Sequence, residues 1–282
     1  MIDEQLPKVY TSCRKGGSHF MNYENKIKIS QQRSYSVVKS NEIIQKARYD
    51  LNISELKTLA YIFSKIKPTD NELKEYTFSI KEYCQVCGID YKNGNNYINV
   101  KKSIKGLRDK SFWLLDEKGN EAIVGWLSKA RINKGSGKIT VRLDDDIQKY
   151  VIGLFSNFTQ YELLSTLPMK SSYSFRIYEL LKSYSFQNNH TFDIDELKSQ
   201  LMATNYINFK DFRKYVLEVA TKEINLYTDI EISWTPIKKG KKVIQVSFSI
   251  KQRDTWAKYK ALTMASDQIE GQISLLDYEY YK

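Results

Sequence analysis

Phe209, Phe212, Val216, Val219, Ala220 and Ile224 recur at three- and four-residue steps, so they share one face of a helix that needs a core to cover it. The helix is expected over 209–225, with Asn208 as its N-cap, because an Asn side-chain oxygen accepts a hydrogen bond from a first-turn N–H that otherwise has no partner. Lys210, Arg213 and Lys214 fall outside the apolar stripe. Two period-two runs follow, Ile230, Ile232, Trp234 and then Ile244, Val246, Phe248, Ile250, each predicting a strand with one buried side. Between them lies Ile237-Lys238-Lys239-Gly240-Lys241-Lys242, where Gly240 permits a positive φ in a turn crowded with ammonium groups.

The same succession occurs earlier in the chain. Over 96–110, Tyr97, Val100, Ile104 and Leu107 line one side of a predicted helix, and Lys101, Lys102, Lys105 and Arg108 occupy the other. Strand-like residues 112–115 lead to a strand over 122–132, and Lys134-Gly135-Ser136-Gly137-Lys138 joins it to the alternating Ile139, Val141 and Leu143. Upstream, Ser54 is placed to cap a helix carrying Leu56, Leu59, Ala60, Phe63 and Ile66, which Pro68 stops. A strand over 76–80 and a short helix over 81–86, closed by Gly88, complete that half. In the other half a long helix opens at Lys170-Ser171-Ser172, and Phe192-Asp193-Ile194-Asp195 precedes a second helix. Each half therefore reads core helices, basic helix, basic hairpin, the arrangement in which a winged helix lays a helix in the major groove and a wing along the backbone. The expected fold is α+β: two tandem winged-helix domains related by a pseudo-repeat, at 37–160 and 161–253. A flexible arm is expected over 1–36 and a tail over 254–282.

Charge sharpens this picture. The 282 residues, 41% of them hydrophobic, suffice for two cores, and 44 Lys and Arg against 33 Asp and Glu leave a net charge of +11. A polyanion is the expected partner, double-stranded DNA first, through counterion release. No apolar run approaches the roughly 18 residues of a spanning helix, so no membrane partner is expected and a cytoplasmic location is. Cys84-Gln85-Val86-Cys87 has the spacing of half a zinc site, but no second pair follows; the two thiols are expected to be small core side chains, with no metal and no cofactor. His19 and His190 stand apart, leaving no His-x-His for a metal-dependent nicking tyrosine, and no glycine-rich phosphate loop is present, so an enzyme is not expected.

These residues resemble the initiator replication proteins of iteron-containing plasmids, which are built from two winged-helix domains. The resemblance is carried by Ser174-Phe175-Arg176-Ile177-Tyr178-Glu179-Leu180-Leu181, by Val216 through Asn225, by Thr228-Asp229-Ile230, and by Ser103-Ile104-Lys105-Gly106-Leu107-Arg108-Asp109-Lys110-Ser111, and it spans roughly 37–252. It implies binding to repeated origin sequences, local duplex opening, recruitment of host replication proteins, and autorepression as a dimer with the first domain supplying the contact. A dedicated transcriptional repressor with the same two domains is the alternative. The residues expected on DNA are Lys101, Lys102, Lys105, Arg108, Lys134 and Lys138 in the first domain. In the second they are Asn205, Asn208, Lys210, Arg213, Lys214, Lys238, Lys239, Lys241 and Lys242, with Arg213 the expected guanine reader. Arg176 reads either as a phosphate contact or as a partner of Glu179. In the tail, Gln272, Ser274, Leu275 and Leu276 are similar to the short bacterial motif that docks on the sliding clamp, with Leu276 where the motif usually has an aromatic.

Overall fold

A computed structural model describes residues 17–67, 69–115, 121–133 and 135–280, the side chains of 17–24, 115 and 272–280 apart. Lys134 and the side chains of Gln272, Ser274, Leu275 and Leu276 thus lie outside the described residues, as do residues 1–16 of the expected arm. The rest of that arm is not irregular: α1 spans Gly17–Arg33. Strand β1 (Ser36–Ser40) and the short α2 (Asn41–Lys46) lead to α3 (Ile53–Phe63), which is buried on almost every side. Its cap is Asn52, not Ser54: the Asn52 side chain accepts from the Glu55 N–H at 3.0 Å while Glu55 accepts from the Asn52 N–H at 2.8 Å. A reciprocal pair of this kind satisfies two end donors where a lone serine satisfies one.

Strand β2 (Tyr76–Ser79) runs into α4 (Ile80–Cys87), capped by Ser79 and ended by Gly88 in the left-handed region at φ 67°. Then come α5 (Gly94–Asp109), the hairpin β3 (Ser111–Leu115) and β4 (Glu121–Gly125), and the wing strands β5 (Leu127–Asn133) and β6 (Lys138–Leu143). The single strand expected over 122–132 is broken at Trp126, because that indole turns inward, 1% exposed, to stack on Phe112 at 4.4 Å. The turn-like α6 (Gln148–Val151) and β7 (Phe158–Glu162) follow, and β7 returns to pair antiparallel with β1.

The second unit repeats the first. Helix α7 (Ser172–Ser183), β8 (Asn189–Asp193) and α8 (Ile194–Gln200) precede a helical run made of α9 (Phe209–Phe212), a π turn over Arg213–Leu217 and α10 (Glu218–Tyr227). Wing strands β9 (Ile230–Lys239) and β10 (Lys242–Gln252) close it. The two three-stranded sheets are ordered β2-β6-β5 and β8-β10-β9, so in each the third strand sits between the first and the second. That shared topology is the pseudo-repeat. Pro236 is accommodated because β9 is a sheet edge, where a missing N–H breaks no ladder.

Helix α7 joins the two halves. Its Glu179, fully buried, takes the Lys39 ammonium of β1 at 2.5 Å and the Tyr161 hydroxyl of β7 at 2.6 Å. Arg176 therefore neither pairs with Glu179 nor reaches phosphate. It is 6% exposed, donates to the Tyr49 hydroxyl and, at 3.3 Å each, to the Ala47 and Gln200 carbonyls, and so ties the first unit to α8 of the second. Arg48 pairs with Glu196 across the same junction at 2.7 Å. The residues after 254 form α11 (Thr255–Tyr280), which straps both halves: Ala261, Ala265 and Ile269 are buried at four-residue steps, and Lys258 pairs with Glu162 at 2.8 Å. Ile269 fills the notch at Gly88, where a Cβ would lie 2.4 Å from its Cγ2. Beside it Arg33 ends α1 by donating to the Val86 and Gln85 carbonyls at 3.0 and 3.2 Å, a cation set at the negative end of α4.

Cys84 and Cys87 are core side chains, both pushed up to about 12 by burial. Since the thiolate is the reactive form, neither should be alkylated by iodoacetamide at pH 8 in the native protein, and both should react in denaturant. Peptide mapping that finds either one modified in the folded state would contradict this burial.

Candidate nucleic-acid interface

In the second unit the interface is built where α9 meets the wing. Asn208 caps the helix as expected, its Oδ1 accepting from the Asp211 N–H at 2.8 Å, and its Nδ2 donates to the Asp211 carboxylate at 2.7 Å. Both ends of this amide are occupied, so Asn208 shapes the start of the helix before it can read a base. The π turn changes the face that sequence periodicity predicts: an i→i+5 turn lets Val216 and Leu217 both point inward, and Val219 moves to the half-buried flank. Lys210, Arg213, Lys214 and Tyr215 are left on the solvent side.

The wing turns at Gly240 and Lys241, and of this pair Gly240 takes the positive φ, 61°. Lys238, Lys239, Lys241 and Lys242 are all exposed around it. A groove of about 770 Å³ separates helix and wing, with Asn208 and Arg213 on one wall, Lys238, Lys241 and Lys242 on the other, and Phe209, Trp234 and Pro236 between them. Phe209 meets Trp234 edge-on at 6.2 Å, which fixes the spacing of the walls. Lys210, Lys214 and Lys239 are exposed on the same elements, and Asn205 in the turn before α9, all outside the groove. Arg213 leans on Glu218 through Nε at 3.2 Å, with both side chains half exposed. A pair so wet is worth at most about 1 kcal/mol, less than a bidentate guanine contact of about 1–3 kcal/mol, so the guanidinium is free to exchange one partner for the other.

In the first unit Lys101, Lys102, Lys105 and Arg108 are exposed on α5 and rim a groove of about 440 Å³ against β5, floored by Ile98, Ile104, Ala130 and Ile132. Lys101 lies 5.6 Å over the Tyr97 ring, and Lys105 pairs with Asp109 one turn on. Lys138 opens β6, exposed, at the base of a wing whose turn is closed by Asn133 Oδ1 accepting from the Gly135 and Ser136 N–H groups at 3.0 and 3.2 Å. Helix α5 starts two residues before the expected position, capped by Asn93, which brings the exposed Asn95 onto its first turn, one turn ahead of the exposed Asn99. These two, and Arg131 of β5, are exposed polar side chains near the groove that the charge pattern did not single out, and none of them lines it. The N-cap signal at Asn93 is what would have placed Asn95 on the helix.

Among the described residues, no three or more His, Cys, Asp and Glu side chains gather into a set that could hold a metal ion, and no helix is long and apolar enough to cross a membrane. The surface is suited to electrostatic and groove recognition of a duplex.

Comparison with known proteins agrees with the geometry. The family model described as Initiator Replication protein, WH1, matches residues 36–182, and that described as Initiator Rep protein, WH2, matches residues 193–250. The first match runs on through α7, past the boundary near 160 that element order alone suggests. A solved structure, the crystal structure of Pi initiator protein in complex with iteron DNA, is similar in fold: TM-score 0.65, 18% identity, 79% of this chain and 99% of that chain covered.

Proposed function

The chain belongs to the initiator replication protein family of two winged-helix domains, and from that premise we propose that it starts plasmid replication by binding iterons, repeated sequences at an origin, as the Pi initiator protein does in its complex. The observation that carries the reading is the repetition: each domain sets an exposed cationic helix beside a basic wing, and one polar junction through Arg176 and Glu179 couples the two. One molecule then lies along one side of the DNA with α5 and α9 in successive major grooves and the wings on the phosphates between. Binding of several copies opens the adjoining duplex, and host replication proteins are recruited, the sliding clamp through residues 272–276. A dimer joined through the first domain represses the gene. None of these steps breaks a covalent bond, and all take place in the cytoplasm.

The test is biological and physical together. Supplied with the repeats that neighbour its gene, the gene should keep an otherwise non-replicating plasmid alive, and the purified protein should footprint those repeats. A footprint with no replication would mark a dedicated repressor; cleavage of the DNA would sink the non-catalytic reading. Arg213→Ala should cost about 1–3 kcal/mol on the repeats and relax preference at one base pair, leaving affinity for random duplex nearly unchanged. Equal losses on repeat and random DNA would take the guanine-reading role from Arg213.

A further inference from the structure

Two isoleucines line the cationic grooves with much of their surface in water. Ile207, immediately before the cap of α9, is 92% exposed, and Ile98, on α5, is 49% exposed. The loop that carries Ile207 is nonetheless firmly held. Its neighbour Tyr206 turns inward against Tyr173 and Phe212, with ring centroids at 5.9 and 6.5 Å. The Ile207 N–H donates to the Asn205 carbonyl at 3.1 Å, and the Ile207 carbonyl accepts from the largely buried Lys198 ammonium at 3.3 Å. The backbone is pinned while the side chain stays in water at the groove that Ile207 lines with Arg213 and Lys238. Ile98 likewise lies in the groove rimmed by the α5 cations, level with Ala130 and Ile132.

We infer that Ile207 and Ile98 are specificity residues that read thymine through its 5-methyl group. In the major groove thymine alone offers a methyl among hydrogen-bonding edges, and an apolar side chain on the recognition surface is its complement. A β-branched side chain, stiff at χ1, makes that contact with little entropy to lose. The surrounding lysines select the phosphate backbone, so the occupant of both grooves is a duplex. The inference rests on the reading of these grooves as duplex-binding surfaces.

The test uses the full chain and the duplex it selects from a random-sequence pool, with each thymine replaced in turn by uracil, which removes only the methyl. Burial of one methyl corresponds to about a fourfold change in affinity, so uracil at one or two positions should weaken the wild type by about that factor. At the position Ile207 reads, Ile207→Ala should bind thymine and uracil equally, and Ile98→Ala should do the same at another position. A flat uracil scan on a well-bound duplex, or penalties that persist undiminished in both variants, would overturn the inference and leave the duplex reading standing. A pool that yields no preferred duplex would remove both.

Discussion

Glu179→Ala should lower the stability of the protein by about 3–5 kcal/mol, read from urea or guanidinium unfolding, because it removes one partner of a buried ion pair and leaves the other charge uncompensated. The Glu179 side chain is wholly buried and that of Lys39 is 3% exposed, 2.5 Å away. Without the carboxylate the ammonium is left between the rings of Phe63 and Phe175, 5.3 and 6.0 Å from their centres, with Arg176 also close, and the Tyr161 hydroxyl loses its acceptor. Replacing both partners by apolar groups, Lys39→Met with Glu179→Leu, should recover most of the loss. A single-mutant cost below about 1 kcal/mol would mean that water reaches the pair, contrary to its burial.

The pH dependence follows with a definite sign. Burial holds the Lys39 ammonium below its ordinary 10.5, with Glu179 opposing. As pH rises toward 10.5 the unfolded chain therefore keeps the proton that the folded chain gives up, and this group's contribution to stability rises with pH over that window. In Glu179→Ala the opposition is gone, so the window should extend to lower pH. The buried hydroxyls of Tyr161 and Tyr178 act the other way. Burial pushes both well above 10.0, so above that pH the unfolded chain ionises first and stability falls.

How much of this was legible in the sequence depends on how far apart the interacting residues lie. The α9 to α10 stripe, the basic face of α5, both wings and the winged-helix order could be read because they are local periodicities. The Lys39–Glu179 pair spans 140 residues, and no window of sequence contains both partners. Helix α1 lacks a sustained apolar period and is anchored instead by Arg33 on the carbonyls of α4, a tertiary contact. Helix α11 buries Ala261 and Ala265, residues too small to announce a stripe, and among its described side chains only Ile269 adds bulk to the buried row. The π turn has no sequence signature at all, and it is why Leu217 proves buried and Val219 only half so. At the interface, every candidate whose side chain is described proved exposed, as a charge pattern would have it. What charge could not convey was which of them face one another: Arg213 meets Lys238, Lys241 and Lys242 across the groove, while Lys210, Lys214 and Lys239 stand outside it.

That partition leads to the largest expected effect on DNA binding. Replacing Lys238, Lys239, Lys241 and Lys242 together by alanine should make the slope of log K against log salt shallower by about 3–4, since each phosphate neutralised contributes about 0.9. At about 0.1 M salt the affinity should fall on the order of a thousandfold. The loss should be nearly equal for iteron repeats and random duplex, because phosphate contacts carry no sequence information. The fold should survive, since all four side chains are exposed at the tip of a hairpin whose turn depends on Gly240, which is kept. A slope lowered by only 1–2 would mean that just part of the wing reaches the backbone, with Lys239, outside the groove, the first to be excused. An unchanged slope would remove the wing from the interface altogether, and with it the account in which helix and wing grip the duplex from two sides.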